Sequence, residues 1–265
     1  MSLPTIRWEY EHVTELAIGK RLVERGYDIF HAPKAQIKFT NDGEANALLN
    51  DLQRQPHAFV VGCVMDRQIP AERAWMIPHE VSQRLGSFSI ERLRDLPMKR
   101  ISKLLTNPEP LHRFPETMGR LFYSAVQRIS DTYEGNAARI WRGKPTSATL
   151  VYRFLEFDGV GPKIANMAAG ILAREFKIRL ADYFSIDVAA DIHVRRVFGR
   201  LGLCAPNATV EQLVYKARSL HPEFPGVMDL PAWEIGRNWC KLRNPDCSNC
   251  YLHRICPTAK TGTLG

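Results

Sequence analysis

Four cysteines, Cys240, Cys247, Cys250 and Cys256, stand in the order Cys-x6-Cys-x2-Cys-x5-Cys. Thiolates gathered this tightly close around one inorganic centre, so residues 240–256 must fold as a loop about it. The soft sulfur set admits a tetrahedral zinc or an iron–sulfur cluster and turns away calcium or magnesium, which require oxygen. Structural zinc sites usually pair two Cys-x2-Cys knuckles across a longer gap. Here a single x2 knuckle is flanked by x6 and x5 arms, which favours the cluster over zinc. Disulfides are disfavoured, because Met1 to Leu16 alternates Arg, Glu and His with apolar residues and has no hydrophobic signal core. The thiols are therefore expected in a reducing, intracellular compartment. Cys63 and Cys204 fall outside the loop and read as buried, inert thiols.

At 265 residues with 45% hydrophobic content, the chain can bury one large core or two modest ones. Its longest apolar run, Ala58 to Met65, is far too short to span a bilayer, so no membrane partner is expected. A formal charge of +8 attracts a polyanion in a salt-dependent way and raises the prior on DNA or RNA. Apolar residues at three- and four-residue intervals predict helices over Thr14–Arg25 and Asp42–Gln53. Short helices broken at Pro78, Gly86 and Pro97 follow from Glu72 to Leu105. A helix then runs to about Tyr133, and Gly135 to Thr146 reads as a surface loop. Strand-like alternation is rare.

A second constraint lies in Leu155-Glu-Phe-Asp-Gly159-Val160-Gly161-Pro-Lys163-Ile-Ala165, where one apolar helix runs into Gly-Val-Gly and the next begins at once. Two glycines around one apolar residue make a tight helix-to-helix turn. Such a turn exposes N–H groups at the start of the second helix, where the macrodipole favours an anion. Gly159, Val160 and Gly161 are therefore candidate contacts to a DNA phosphate.

This segment resembles the helix-hairpin-helix motif of the endonuclease III group of DNA repair glycosylases. Downstream, Asp191-Ile-His193-Val194-Arg195-Arg196-Val197 resembles the group's Asp-x-His-Val-x-Arg-Val segment. Trp233-Glu-Ile-Gly236-Arg237-Asn-Trp-Cys240 is similar to the helix that leads into its [4Fe–4S] loop, and the four cysteines match that loop's spacing. The matches keep the family's order over about residues 57 to 258. The resemblance implies a bifunctional enzyme in which Lys163 attacks C1′ of a flipped nucleotide, displaces the damaged base and forms a Schiff base that permits β-elimination. It implies Asp191 as the carboxylate that takes a proton from the lysine or stabilises positive charge on the sugar. Asp191 also precedes a predicted helix from Ile192 to Leu201, where it suits an N-cap, and Asp187 is a rival carboxylate. Cys240, Cys247, Cys250 and Cys256 would hold a [4Fe–4S] cluster. Gln68 would fill the gap left by the flipped nucleotide. A second wedge would come from Pro110–Phe114, with Leu111 or His112 as candidates, and Arg195, Arg196, Lys241, Arg243 and Arg254 would contact phosphate.

Some segments depart from endonuclease III. The Gln68 segment carries Met65-Asp66-Arg67 before it and Ile69-Pro70-Ala71 after it, without the group's usual Leu-Ser and Ala-Thr-Asp neighbours. The stretch from Ile171 to Ala190 is longer, with an added Phe176–Phe184 segment. Oxidised pyrimidine is the default lesion on this footing. The predicted fold is all-α and two-lobed. A six-helix barrel lobe takes residues 41–184, with the helix-hairpin-helix at about 150–171, and an iron–sulfur cluster lobe combines residues 1–40 with 185–265. The expected partner is double-stranded DNA with a damaged base or abasic site. The expected state is a monomer, located in the cytoplasm or nucleoid if the source is bacterial or archaeal. A monofunctional glycosylase and a non-catalytic iron–sulfur DNA-structure binding protein are the alternatives.

Overall fold

The computed structural model describes the backbone of residues 5–262 and the side chains of residues 14–262. Residues 1–4 and 263–265 of the predicted cluster lobe, and most side chains of the Met1-to-Leu16 stretch, lie outside the described residues. Among the described residues helix is the only regular secondary structure, as predicted. Thirteen α-helices follow in order: α1 (Thr5–His31), α2 (Gly43–Asn50), α3 (Pro56–Met65), α4 (Ala71–Leu85), α5 (Ile90–Arg94), α6 (Met98–Thr106), α7 (Pro115–Thr132), α8 (Ser147–Leu155), α9 (Pro162–Arg174), α10 (Ile192–Arg200), α11 (Val210–Leu220), α12 (Asp229–Asn238) and α13 (Pro257–Thr261). None of the described helices is long and apolar enough to cross a membrane.

The helix α3 is apolar on nearly every side and so must be enclosed; all ten of its residues are buried, with α2, α4, α7 and α9 around it. Two local readings are corrected. Pro78 does not break its helix, because α4 runs through it, and the buried ring offsets part of the cost of the missing backbone donor. The stretch from Gly135 to Thr146 is not simply a surface loop: it contains a 3₁₀ turn, Ala137–Ile140, that buries Ala137, Ile140 and Trp141.

The first helix returns to the far end of the chain. It packs on α11, α12 and the 3₁₀ turn Pro225–Met228. The approach at Gly26 is close enough that a Cβ there would sit 2.1 Å from the Val227 carbonyl oxygen. Arg25 on α1 donates to both oxygens of Glu234 on α12, at 3.1 and 2.8 Å. Lys216 on α11 pairs with Glu15 on α1 at 3.0 Å. The longer stretch after α9 is irregular, with Phe176 and Leu180 buried in the core, and Lys177 donates to the Phe30 carbonyl near the end of α1 at 2.6 Å.

Candidate functional site

The hairpin joins α8 to α9. Phe157 and Val160 are buried and staple the turn to the core, while Gly159 stays exposed. Gly159 has φ +81, the left-handed region that side chains disfavour, and a Cβ there would lie 2.6 Å from Leu121 Cδ1 and 2.7 Å from Arg67 Nη1. Both the turn and the close approach of Arg67 thus require glycine. Gly161 occupies the N-cap of α9 with no side chain to satisfy the first turn, and Pro162 follows at N1. A Cβ at Gly161 would meet nothing within 4 Å, and Pro162 and Lys163 that follow it are exposed. An anion docks at such a helix start by backbone donors and the macrodipole together.

Lys163, in the first turn of α9, donates to Asp66 Oδ2 at 2.9 Å. The pair is asymmetric: 44% of the lysine side chain is exposed against 5% of the aspartate. Asp66 caps the C-terminal end of α3 and stands 97 positions from Lys163, so the packing of α9 on α3 alone brings them together. Sequence reasoning placed Asp66 only as an unfamiliar neighbour of Gln68.

Asp191 is carried by an extended segment that four elements hold in place. Ser185 N–H donates to Ser147 at the start of α8, at 3.0 Å. Asp187 N–H donates to the buried Asn166 of α9 at 2.7 Å, and Gly226 N–H to the Ile186 carbonyl at 2.7 Å. Ala189 N–H donates to Asp229 Oδ1 on α12 at 2.7 Å. At its end Asp191 Oδ1 accepts from His193 N and Val194 N, both at 2.8 Å, which starts α10. The rival Asp187 is committed elsewhere: it is buried and accepts two bonds from Arg218 of α11, each 2.8 Å.

Asp229 joins these parts electrostatically. Some of its surface still meets solvent, but its carboxyl is set deep among protein atoms, and that burial, reinforced by the Asp191 charge, pushes its pKa up to about 7. Arg174, the Ala189 N–H and Lys163 pull the other way. In the unfolded chain the group titrates near 3.8. The folded state therefore binds this proton more tightly, and the stability that the proton confers is fully present below about pH 4 and is lost as pH rises through about 7. Asp229→Asn keeps an oxygen for Ala189 and cannot titrate. The variant is expected to gain about 3 kcal/mol relative to the parent between pH 5 and pH 8. Urea midpoints across that range check it; parallel curves for the two proteins would remove the assignment.

The remaining predicted residues divide. Gln68 is exposed and held at φ +55 in the turn after α3. His112 is not at the surface: it is 3% exposed, its Nδ1 accepts from Phe114 N at 3.0 Å, and its ring sits behind the Met65–Arg67 turn, where burial lowers its pKa. Leu111 is buried as well. Arg113 and Phe114 are exposed, as is Pro110, and the two stack with the guanidinium 5.2 Å from the ring centre. Arg195 is exposed on α10 and donates to the Ala208 carbonyl at 3.0 Å; Arg243 is exposed in the cysteine loop. Arg196 is drawn inward to the Cys240 and Gly236 carbonyls, at 2.7 and 2.9 Å.

The four loop cysteines line one apolar pocket together with Val197, Leu201, Ile235 and Trp239. All are free thiols, and burial raises the pKa of Cys250 and Cys256, each also raised by the charges of the other cysteines. Among the described residues no three His, Cys, Asp or Glu side chains converge closely enough to hold a single ion, so the thiols ring a space rather than a point. Arg200 borders the same cavity. It is buried, donates to the Lys241 and Leu242 carbonyls at 2.6 and 3.0 Å and to Cys240 Sγ at 3.5 Å, and has no carboxylate partner among the described residues. A buried guanidinium requires counter-charge, and ionised thiolates around an inorganic group supply it, so the residues present fit a cluster.

No family model matches the chain. Endonuclease III of Synechocystis sp. is 25% identical over 177 residues, 61% of this chain and 75% of the relative. Endonuclease III of Thermotoga maritima is 34% identical over 103 residues, 38% of this chain and 43% of that protein. A solved structure of a trapped endonuclease III–DNA covalent intermediate superposes with a TM-score of 0.61 at 16% identity, covering 93% of this chain and 98% of that one. This chain is thus similar in sequence to two endonuclease III proteins over part of its length, and shares the fold of a third across nearly the whole of it.

Proposed function

We infer that this chain is a base excision repair DNA glycosylase with AP lyase activity. One observation carries the reading: a half-exposed lysine, hydrogen-bonded to a buried carboxylate, stands in the first turn of the hairpin's second helix. There a phosphate on the amides after Gly159, Val160 and Gly161 would bring the sugar of the same strand to Lys163. The amine forms a bond to C1′ as the C1′–N bond breaks, and the base leaves with the electron pair and takes a proton from water. Asp191, fixed by two backbone donors, presents negative charge to the positive sugar. The bound nitrogen then loses a proton, its lone pair forms C1′=N as the C1′–O4′ bond breaks and O4′ takes a proton, and the resulting Schiff base acidifies the sugar C2′ proton, whose removal expels the 3′ phosphate.

DNA would lie across a cleft between residues 41–184 and the lobe formed by 1–40 with 185–265, an arrangement in keeping with the return of α1 to α11 and α12. Gln68 would enter the gap left by the flipped nucleotide, with Arg113 and Phe114 as the second wedge in place of His112. Arg195 and Arg243 would contact phosphate. Cys240, Cys247, Cys250 and Cys256 would hold a [4Fe–4S] cluster whose part is to shape the basic loop, since base removal and β-elimination transfer no net electrons. The partner would be duplex DNA bearing a damaged base, an oxidised pyrimidine by default, and the working state an intracellular monomer, in the cytoplasm or nucleoid of a bacterium or archaeon.

Borohydride trapping on duplexes with an abasic site, thymine glycol, uracil or 8-oxoguanine tests this. A covalent adduct on the abasic duplex, and among the base lesions strongest on thymine glycol, is expected. Tight binding with no adduct on any duplex overturns the lyase; release of free base would then leave a monofunctional glycosylase, and its absence a DNA-binding protein.

A further inference from the structure

We propose that Asp66 is the general base that frees the Lys163 amine for attack, with closure of DNA over the pair as the trigger. This rests on Lys163 being the nucleophile. An ammonium has no lone pair, so one proton must leave Nζ before a bond to C1′ forms, and a free amine holds that proton far more tightly than a carboxylate does in water. The acceptor must therefore be close, aligned and placed where water does not favour the charged pair.

Asp66 meets these demands. Its Oδ2 already accepts from Nζ at 2.9 Å, and its side chain is 5% exposed beneath α9. Water reaches the pair only from the lysine side. When a duplex covers that side, the charge-separated form loses the solvation that sustained it. The phosphates set against the hairpin further disfavour a carboxylate, so the neutral amine and carboxylic acid gain. The proton moves from Nζ to Oδ2, the nitrogen lone pair is released, and Asp66 stays behind the lysine, away from the sugar. Asp191, which two backbone N–H groups already hold, is then spared for charge stabilisation.

The charges around the pair are few. Arg67 follows Asp66 and lies against the hairpin, Cys63 on α3 is a neutral buried thiol, and His112 sits behind the same turn with burial disfavouring its charged form. Asp158 of the hairpin accepts from Ser124. Asp229, at the start of α12, interacts with Lys163 and is itself faced by Asp191 at the start of α10 and Arg174 at the end of α9.

The test is the single-turnover rate of borohydride adduct formation on an abasic-site duplex between pH 6 and pH 10, for the parent, Asp66→Asn, Asp66→Glu and Lys163→Ala. General-base loss predicts that Asp66→Asn binds DNA like the parent but is about 10²–10³-fold slower at pH 7, with the deficit shrinking as pH approaches 10 and solvent takes the proton instead. Asp66→Glu, which keeps a carboxylate, should recover most of the rate, and it carries the test if the asparagine variant does not fold. A deficit of the same size at every pH, or no deficit, overturns the proposal while leaving the lyase intact. Absence of an adduct in the parent would remove both.

Discussion

Lys163→Ala is expected to bind an abasic-site duplex within a few-fold of the parent and to form no borohydride-stable adduct, with strand cutting reduced on the order of 10⁴-fold or more. The size follows from the position. Lys163 is the cation in the first turn of α9, and it is the hairpin amides and exposed arginines, not this side chain, that would hold the backbone. Removing it therefore deletes bond formation at C1′ and leaves most of the binding energy. It also leaves the buried Asp66 without its cation, which costs stability. An alanine variant that still forms a trapped adduct would place the nucleophile elsewhere. One that loses binding and cutting in proportion would reduce Lys163 to a phosphate contact.

The second large effect is expected at Arg200. This buried side chain braces the beginning of the cysteine loop through the Lys241 and Leu242 carbonyls. Its own carbonyl accepts from Thr258 Oγ1 at 2.6 Å and from Cys256 Sγ at 3.6 Å, at the loop's end. One residue thus ties both ends of a loop whose cysteines enclose a cavity. Arg200→Leu removes the side-chain ties to Lys241 and Leu242 and the counter-charge together, keeps the backbone carbonyl that Thr258 holds, and should destabilise the loaded protein by about 3–5 kcal/mol. Absorption at about 400 nm per chain, the mark of thiolate-bound iron, should fall in step. Arg200→Lys, which keeps the charge but not the fork, should lie between the two. Undiminished colour and an unchanged urea midpoint in Arg200→Leu would show that the thiols alone hold the loop.

What the sequence disclosed about this site was local. The cysteine spacing, the turn at Gly159–Gly161 and the cap at Asp191 each lie within a few residues, where backbone geometry ties residue type to structure. Contacts made by packing were hidden. Asp66 reaches Lys163 across 97 positions and Asp229 reaches Ala189 across 40, with no periodicity to announce either pair. The loop from Pro110 to Phe114 was placed correctly as irregular, yet which of its side chains turn inward is decided by the Met65–Arg67 turn beneath it. His112 is therefore buried while Arg113 and Phe114 stand out. Pro78 misled for the same reason, because a helix held on its apolar face tolerates a proline that an isolated one would not.

The meeting of Gly26 with Val227 sets an order on how the molecule is made. Helices α2 to α9 touch chiefly one another and can condense as they leave the ribosome. The apolar face of α1 has its partners at the other end, and Arg25 must wait for Glu234, 209 residues later. Until then α1 has only α9 and the segment after it to lie against. That period is when a chaperone would find it, and it ends only as the cysteine loop itself is being synthesised, so closure of the last wall and folding of that loop become events of the same moment.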